Sequence, residues 1–151
     1  MQYQIDQSIR IEQTNKATII GLADESGQNT YSVVIPANIK RQIETYHRNQ
    51  GLPKIFMVNL FIASVILVLK KSKFKVNQLT IDIEYPGYEV RIIKSVHRLS
   101  PQHPSVSFSV IGKHSPAHQV AYGVYIKKRR SNYVASYQDL ITIIKQRDRG
   151  L

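Results

Sequence analysis

Residues 79–113 read LTIDIEYPGYEVRIIKSVHRLSPQHPSVSFSVIGK and determine the predicted fold. The opening LTIDIE alternates apolar and polar residues at a period of two, which predicts a half-buried strand that ends at Pro86-Gly87. Residues 89–99 place their apolar side chains at helical spacing, and SVSFSVIGK alternates again as a strand. A strand, a helix and a strand in succession predict a parallel crossover unit.

The first third of the chain predicts an antiparallel meander. Three strand signals precede Pro36, and the last two are separated by DESGQN, which is typical of a hairpin turn. After Pro36, apolar residues at helical spacing predict a helix over residues 37–49. The three predicted strands are Ile9–Glu12, Thr18–Ala23 and Thr30–Ile35.

The middle of the chain contains the uncharged stretch IFMVNLFIASVILVL, residues 55–69. It is shorter than the roughly 20 residues of a membrane span, so a buried helix under a sheet fits better. Residues 120–126 predict a further strand, and Ser136 begins a final helix. The expected fold is a single α/β domain over residues 1–151, in which a mixed sheet combines the three-strand meander with the β-α-β crossover and helices pack on the sheet.

Composition points to a polyanionic partner. The net charge is +11, and the whole excess lies in residues 51–151, since residues 1–50 balance. A field of this size attracts phosphate backbones, so nucleic acid is the expected partner, with DNA or RNA left open. The first alternative is a generally basic protein with a solvated surface, and an anionic membrane surface is the second. There is no cysteine, no secretory signal and no glycine-rich nucleotide loop, which together favour a cytoplasmic protein and disfavour ATP or NAD chemistry.

Asp82 and Glu84 are the strongest candidates for chemistry. They are two residues apart near the end of a predicted strand, so their side chains leave the same face. Two carboxylates held this close raise one pKa or bind a cation such as Mg²⁺. Open α/β sheets bind ligands at the carboxyl ends of their strands, which is where this pair lies. The alternative is an exposed pair on a polar edge.

The segment IGKHSPAH, residues 111–118, crowds Lys113, His114 and His118 into a predicted loop beyond a strand end. The lysine can hold a phosphate, and either histidine can transfer a proton or bind a metal. Surface or hydrogen-bonding roles are the alternative for the histidines. Pro116 argues against one regular helix through both.

The best candidate for nucleic-acid binding is the basic run Lys127, Lys128, Arg129 and Arg130. Tyr133 follows it, and two further tyrosines precede it. Basic residues beside aromatic rings suit phosphate contacts with base stacking. A solvated strand end is the alternative for this segment.

The order of these elements resembles that of the ribonuclease H-like superfamily of nucleases, resolvases and transposases. In that family, acidic residues on the first strand, the fourth strand and the last helix bind two divalent cations for phosphodiester hydrolysis. Carried over by position, the resemblance implies Asp24, Asp82 and Asp139 as metal-binding residues beside Glu84. Asp139 also stands three residues after Ser136, where a helix capping box would place it.

The leading hypothesis is therefore a nucleic-acid-binding protein of ribonuclease H-like type, with Mg²⁺-dependent nuclease activity through Asp82, Glu84, Asp24 and Asp139. One alternative is a non-catalytic module that binds nucleic acid or an acidic protein. Another is a homo-oligomeric structural protein whose helix over residues 55–69 lies at a subunit contact. A nuclease requires three acidic groups within reach of one metal, and the sequence spacing assures two.

Overall fold

The computed structural model describes the backbone of residues 2–149 and the side chains of residues 2–148. It contains six strands, five α-helices and a short 3₁₀ turn over Pro53–Ile55. The strands are β1 (Gln2–Ser8), β2 (Thr18–Asp24), β3 (Thr30–Ile35), β4 (Gln78–Asp82), β5 (Ser105–Ser109) and β6 (Tyr133–Val134). The helices are α1 (Ala37–Asn49), α2 (Phe56–Ser72), α3 (Glu89–Leu99), α4 (Pro116–Tyr125) and α5 (Tyr137–Arg149).

The strands form one mixed sheet in the order β5-β4-β1-β2-β3-β6. Strands β1, β2 and β3 are antiparallel neighbours, whereas β4 and β5 run parallel to β1. The α/β class, the antiparallel meander and the β4-α3-β5 crossover predicted from the sequence are therefore confirmed. The short β6 was not predicted, and it pairs in parallel with β3.

Helix α2 fills the core on one face of the sheet. It is apolar on all sides, and nearly every residue from Phe56 to Leu69 is buried. Residues 53–72 have the length and apolar character of a membrane span, but 72% of that stretch is buried inside the protein, as in the core helix of a soluble protein. The predicted buried helix is confirmed. Because the same chain covers its apolar surface, the suggested subunit contact through this helix loses its support.

Helix α4 covers the opposite face of the sheet, across β1, β2 and β3. It approaches closely at Gly21, where an added Cβ would lie 2.6 Å from the carbonyl oxygen of Ala117 and 3.2 Å from the Cβ of Ala121. The missing side chain therefore sets the distance between α4 and the sheet. This contact determines where the residues of α4 meet β1.

Two local predictions are wrong. The first strand is Gln2–Ser8, and residues 9–12 form the start of the following turn. Residues 120–126, predicted as a strand, lie mostly within α4. Helix α4 begins at Pro116 because Ser115 caps it and accepts a hydrogen bond from the backbone N–H of His118 at 3.2 Å. Pro116 also suits the first helical position, which needs no N–H donor.

Candidate functional site

Asp6 and Asp82 lie side by side on neighbouring parallel strands. The register pairs Ile5 of β1 with Ile81 of β4. The next residues, Asp6 and Asp82, therefore both project to the opposite face of the sheet, at the same position along their strands. Strands in a sheet are about 5 Å apart, which brings the two carboxylates together. Both lie near the carboxyl ends of their strands, on the face covered by α4.

Glu84 completes the group two residues after β4 ends. Asp6, Asp82 and Glu84 each offer a carboxylate oxygen, and these oxygens lie within 4.8 Å of one another. Among residues 2–149, this is the one group of three acidic, histidine or cysteine side chains with the spacing of a metal site. We refer to these three residues as the carboxylate cluster.

Hydrogen bonds hold Asp6 and Asp82 in fixed positions. Asp6 is only 4% exposed, and its Oδ1 accepts the backbone N–H of Gln7 at 2.8 Å. Its Oδ2 lies 2.8 Å from Nδ1 of His118. The Oδ1 atom of Asp82 accepts the backbone N–H of Ile111 at 2.7 Å, from the loop between β5 and α4. The cluster is therefore preorganised by two segments that follow it in the chain.

Arg10 supplies the positive charge nearest to the cluster. Its Nη1 lies 3.1 Å from Oε2 of Glu84, and its Nη2 donates to the backbone carbonyl of Glu84 at 2.7 Å. Its Nε donates to Glu12 at 2.8 Å, and its guanidinium carbon lies 4.8 Å from the ring centre of Tyr85. Arg10 therefore anchors the segment after β4 and positions Glu84.

The pKa values of Glu84 and Asp6 are raised. Burial, together with the hydrogen bond and charge of Asp82, raises the pKa of Glu84 to about 7, and Asp6 adds to the rise while Arg10 opposes it. Burial also raises the pKa of Asp6, and the charge of Asp82 contributes, against hydrogen bonds from His118 and Gln7 that lower it. The charge of Arg10 lowers the pKa of Glu84 but does not offset burial and the neighbouring carboxylates.

This arrangement can hold a metal ion. Carboxylate oxygens are hard ligands, which suit Mg²⁺, Mn²⁺ or Ca²⁺ better than softer metals. A divalent cation would offset the repulsion from Asp82 and Asp6 that adds to the effect of burial on the pKa of Glu84. The predicted proximity of Asp82 and Glu84 therefore agrees with the structure, and the third carboxylate comes from Asp6.

Asp24 and Asp139, the other two predicted acids, lie outside the cluster. Asp24 ends β2 and accepts hydrogen bonds from Ser26 and Asn29 in the hairpin turn. Its partner on β1 is Tyr3, which lies three residues before Asp6 and therefore about 10 Å from it along the strand. Asp139 forms the capping box with Ser136, because each side chain accepts the backbone N–H of the other residue, at 3.0 and 3.1 Å.

The predicted basic and aromatic residues surround α4. Lys113 and His114 are exposed in the loop before the helix, whereas His118 lies in its first turn. The residues of the run Lys127 to Arg130, which we call the basic loop, are all exposed directly after α4. With Val124 and Ser131 the basic loop lines an open cavity of about 550 Å³.

Tyr133 has two side-chain partners of its own. It is half-buried, donates its hydroxyl hydrogen to Asp139 at 2.7 Å, and has the Nζ atom of Lys71 4.5 Å from its ring centre. These contacts give the side chain a structural role, and its stacking on a base stays a prediction.

The sequence interpretation missed Asp6 and Arg10. A signal for Asp6 was present, because Tyr3 and Ile5 alternate with polar residues at the period of a strand. Arg10 gave no such signal, since its partner Glu84 is 74 residues away in the chain.

Comparisons of the chain with models of protein families, with curated proteins and with solved structures found no match. The geometry and charge of the chain itself are therefore the basis for its function.

Proposed function

We propose that this chain is a nucleic-acid-binding protein of ribonuclease H-like type that hydrolyses phosphodiester bonds with a divalent cation, Mg²⁺ in the first place. The observation that carries the proposal is the convergence of Asp6, Asp82 and Glu84 within 4.8 Å. A nuclease of this type requires three acidic groups within reach of one metal, whereas a binding module has no need of a partly buried group of like charges.

The resemblance supports the proposal at two positions and departs at a third. Asp6 on the first strand and Asp82 at the end of the fourth correspond to the acidic residues that the family carries there. The family's third acid comes from the last helix, and here Asp139 of α5 caps its own helix. Glu84 supplies the third carboxylate instead.

The residues around the cluster have separate tasks in this proposal. Asp6, Asp82 and Glu84 would hold the cation, which when bound supplies activation of water and stabilisation of the charge that builds on phosphate. His118 and the N–H of Gln7 orient Asp6, and the N–H of Ile111 orients Asp82. Arg10 keeps Glu84 beside the other two carboxylates.

The charge distribution supports a nucleic-acid substrate. The net charge of +11 attracts phosphate backbones, and Lys113 and the basic loop are exposed at the two ends of α4. Helix α4 also carries His118, which contacts Asp6. Phosphates bound at either end of this helix would lie within a few nucleotides of the cluster.

The test is incubation of the purified protein with labelled single- and double-stranded DNA and RNA in Mg²⁺, Mn²⁺ or EDTA. We expect metal-dependent cleavage that Asp82→Asn and Asp6→Asn each reduce by at least about 100-fold, as expected when a ligand of a catalytic metal is lost. Glu25→Gln, an exposed carboxylate outside the cluster, is the matched control and should cleave at the wild-type rate. Thermal melting of each variant establishes that it is folded.

A second candidate function is a non-catalytic module that binds nucleic acid, and the exposed basic loop favours it. Salt-sensitive binding by the wild-type protein with no cleavage under any metal would support this module and overturn the nuclease. Absence of both binding and cleavage near physiological salt would overturn both functions. An acidic protein partner would then be the remaining explanation for the basic surface.

A further inference from the structure

One stripe of α4 exposes aromatic rings between the carboxylate cluster and the basic loop. His118, Tyr122 and Tyr125 recur at positions i, i+4 and i+7, which places them on the same side of a helix. Ala117, Val120 and Ala121 form the buried side against the sheet. We call the three ring-bearing residues the α4 stripe.

The two tyrosine rings of the α4 stripe are exposed to solvent. Tyr122 is 48% exposed and Tyr125 is 36% exposed. The rings of His118 and Tyr122 are nearly parallel, with an angle of 10° and 6.0 Å between their centres. Large aromatic side chains usually stabilise a small domain by burial, and these two tyrosines are left in contact with water.

The two ends of the α4 stripe have different chemistry. His118 contacts Asp6, so one end lies at the carboxylate cluster. At the other end the chain turns at Lys127, which has a φ of 62°, and the backbone N–H of Lys128 bonds back to the carbonyl of Gly123 at 3.0 Å. This turn brings the basic loop against the end of the helix.

We propose that the α4 stripe is a stacking track for a single strand of nucleic acid, with phosphates held by the basic loop and the strand leading to the carboxylate cluster. This inference rests on the proposed function and names its substrate class. Seven helical residues span about 10 Å, the length of about three bases stacked at 3.4 Å. Stacking on aromatic rings and phosphate contacts with Lys and Arg are the two features that single-strand binding requires.

The exposed rings favour a single strand over a duplex because they can stack only on bases whose faces are free. In a duplex the faces of the bases are covered by their neighbours, so a tyrosine on a helix surface contacts only the backbone or a groove edge. In a single strand the bases are free to turn onto the rings. A mixture of rings and cations on one surface therefore suits unpaired nucleotides.

The positive charges at the two ends of α4 agree with a nucleic-acid strand that runs along this helix. Lys113 precedes α4 and the four cations of the basic loop follow it. Arg129 also donates to the side chain of Thr30 at 2.9 Å, which fixes that cation beside the sheet. A strand laid along α4 would meet positive charge before and after the tyrosines.

The experiment measures binding of labelled 12-nucleotide single-stranded DNA and RNA and of the matching duplexes by fluorescence anisotropy, in EDTA so that no cleavage occurs. We expect the wild-type protein to bind the single strands more tightly than the duplexes. Tyr122→Ala and Tyr125→Ala should each weaken single-strand binding by about 5- to 100-fold, the loss expected for one stacked base. Duplex binding should change by less than about twofold.

Two controls separate stacking from other causes. Tyr122→Phe and Tyr125→Phe keep the ring and should bind single strands within about twofold of the wild type. Gln138→Ala removes an exposed side chain from α5, outside the α4 stripe, and should have no effect. Comparison of the DNA and RNA strands shows whether the 2′-hydroxyl contributes.

The outcomes distinguish this inference from the proposed function. Unchanged single-strand binding in the alanine variants, equal losses in the phenylalanine variants, or tighter binding of duplexes by the wild type would each overturn the stacking track. Any of these results would leave the nuclease intact if Asp82→Asn still abolished cleavage. Failure of the wild-type protein to bind any of the four nucleic acids would overturn both.

Discussion

The Nδ1 atom of His118 lies 2.8 Å from Oδ2 of Asp6, and this contact joins two residues that are 112 positions apart in the chain. It ties helix α4 to the first strand at the carboxylate cluster. With Asp6 ionised, the imidazole must carry its proton on Nδ1 and donate it to the carboxylate.

Loss of His118 should weaken metal binding. Its hydrogen bond lowers the pKa of Asp6 against the effect of burial, so His118→Ala should raise that pKa further and leave Asp6 less ionised. Partners that orient a metal ligand typically contribute 10- to 100-fold in affinity. We expect His118→Ala to reduce Mn²⁺ affinity about 10-fold by calorimetry. His114→Ala, in the exposed loop nearby, is the control, and equal affinities for the two variants would contradict the role of His118.

Metal binding should strengthen as the pH rises through about 7. The pKa of Glu84 is raised from its ordinary 4.5 to about 7 by burial and Asp82. Metal-free folded protein therefore keeps a proton that the unfolded chain releases, and the stability from this proton is present below about pH 4.5 and is lost as the pH rises through 7. A cation replaces the proton, so Mn²⁺ should raise the melting temperature more at about pH 8 than at about pH 6.

The measurement is thermal melting with EDTA or with Mn²⁺ across this pH range. In Glu84→Gln the residue no longer titrates, so the pH dependence of the metal-induced shift should become smaller. The charged groups that face Glu84 are Arg10, Asp82 and Asp6. Titration of Asp6 changes the metal-induced shift in melting temperature in the same direction as titration of Glu84. A larger shift at about pH 6 in the wild type would show that the carboxylates do not bind the cation in this way.

A side chain at Gly21 should displace α4 from the sheet. The added Cβ of Gly21→Ala would lie 2.6 Å from the backbone oxygen of Ala117, which cannot move without the helix. Overpacking of this kind costs about 1–3 kcal/mol, measurable by urea denaturation. The displacement should also weaken Mn²⁺ binding through His118. Gly112→Ala, where nothing lies within 4 Å, is the control and should leave both quantities near their wild-type values.

Lys40 should be required for the loop that positions Arg10. Its side chain is fully buried, and its Nζ lies within 3.2 Å of the carbonyls of Arg10, Gln13 and Lys16 and of the hydroxyl of Thr18. Lys40→Met would remove the charged donor that these four acceptors share and leave the carbonyls of Arg10 and Gln13 with only the backbone N–H donors of Gln13 and Lys16. The expected cost is about 3 kcal/mol in the free energy of unfolding.

The matched control for this loss is Lys16→Met, since that side chain is exposed and its removal should change stability by less than about 0.5 kcal/mol. Urea denaturation measures both variants. A small effect of Lys40→Met, similar to that of the control, would mean that water satisfies the three carbonyls. In that case the Arg10 loop would not depend on α1.

The local pattern of the sequence was sufficient for several elements. The alternation in LTIDIE, the helical spacing of residues 89–99 and the uncharged run at 55–69 each predicted an element that the structure contains. The capping box of Ser136 and Asp139 was also visible as a spacing of three. These features depend on residues a few positions apart, so the period of the side chains specifies them.

Tertiary contacts decided the rest. Residues 120–126 have the composition of a strand, yet they lie mostly in α4, because the Ser115 cap starts the helix and Gly21 leaves room for it on the sheet. Asp6 joined Asp82 because the register pairs Ile5 with Ile81, 76 residues later. The sequence by itself determined the two neighbouring acids and the positive charge. Asp6, its contact with His118 and the contact of Arg10 with Glu84 were decided by strand pairing and helix packing, since interactions over such separations depend on the whole folded core.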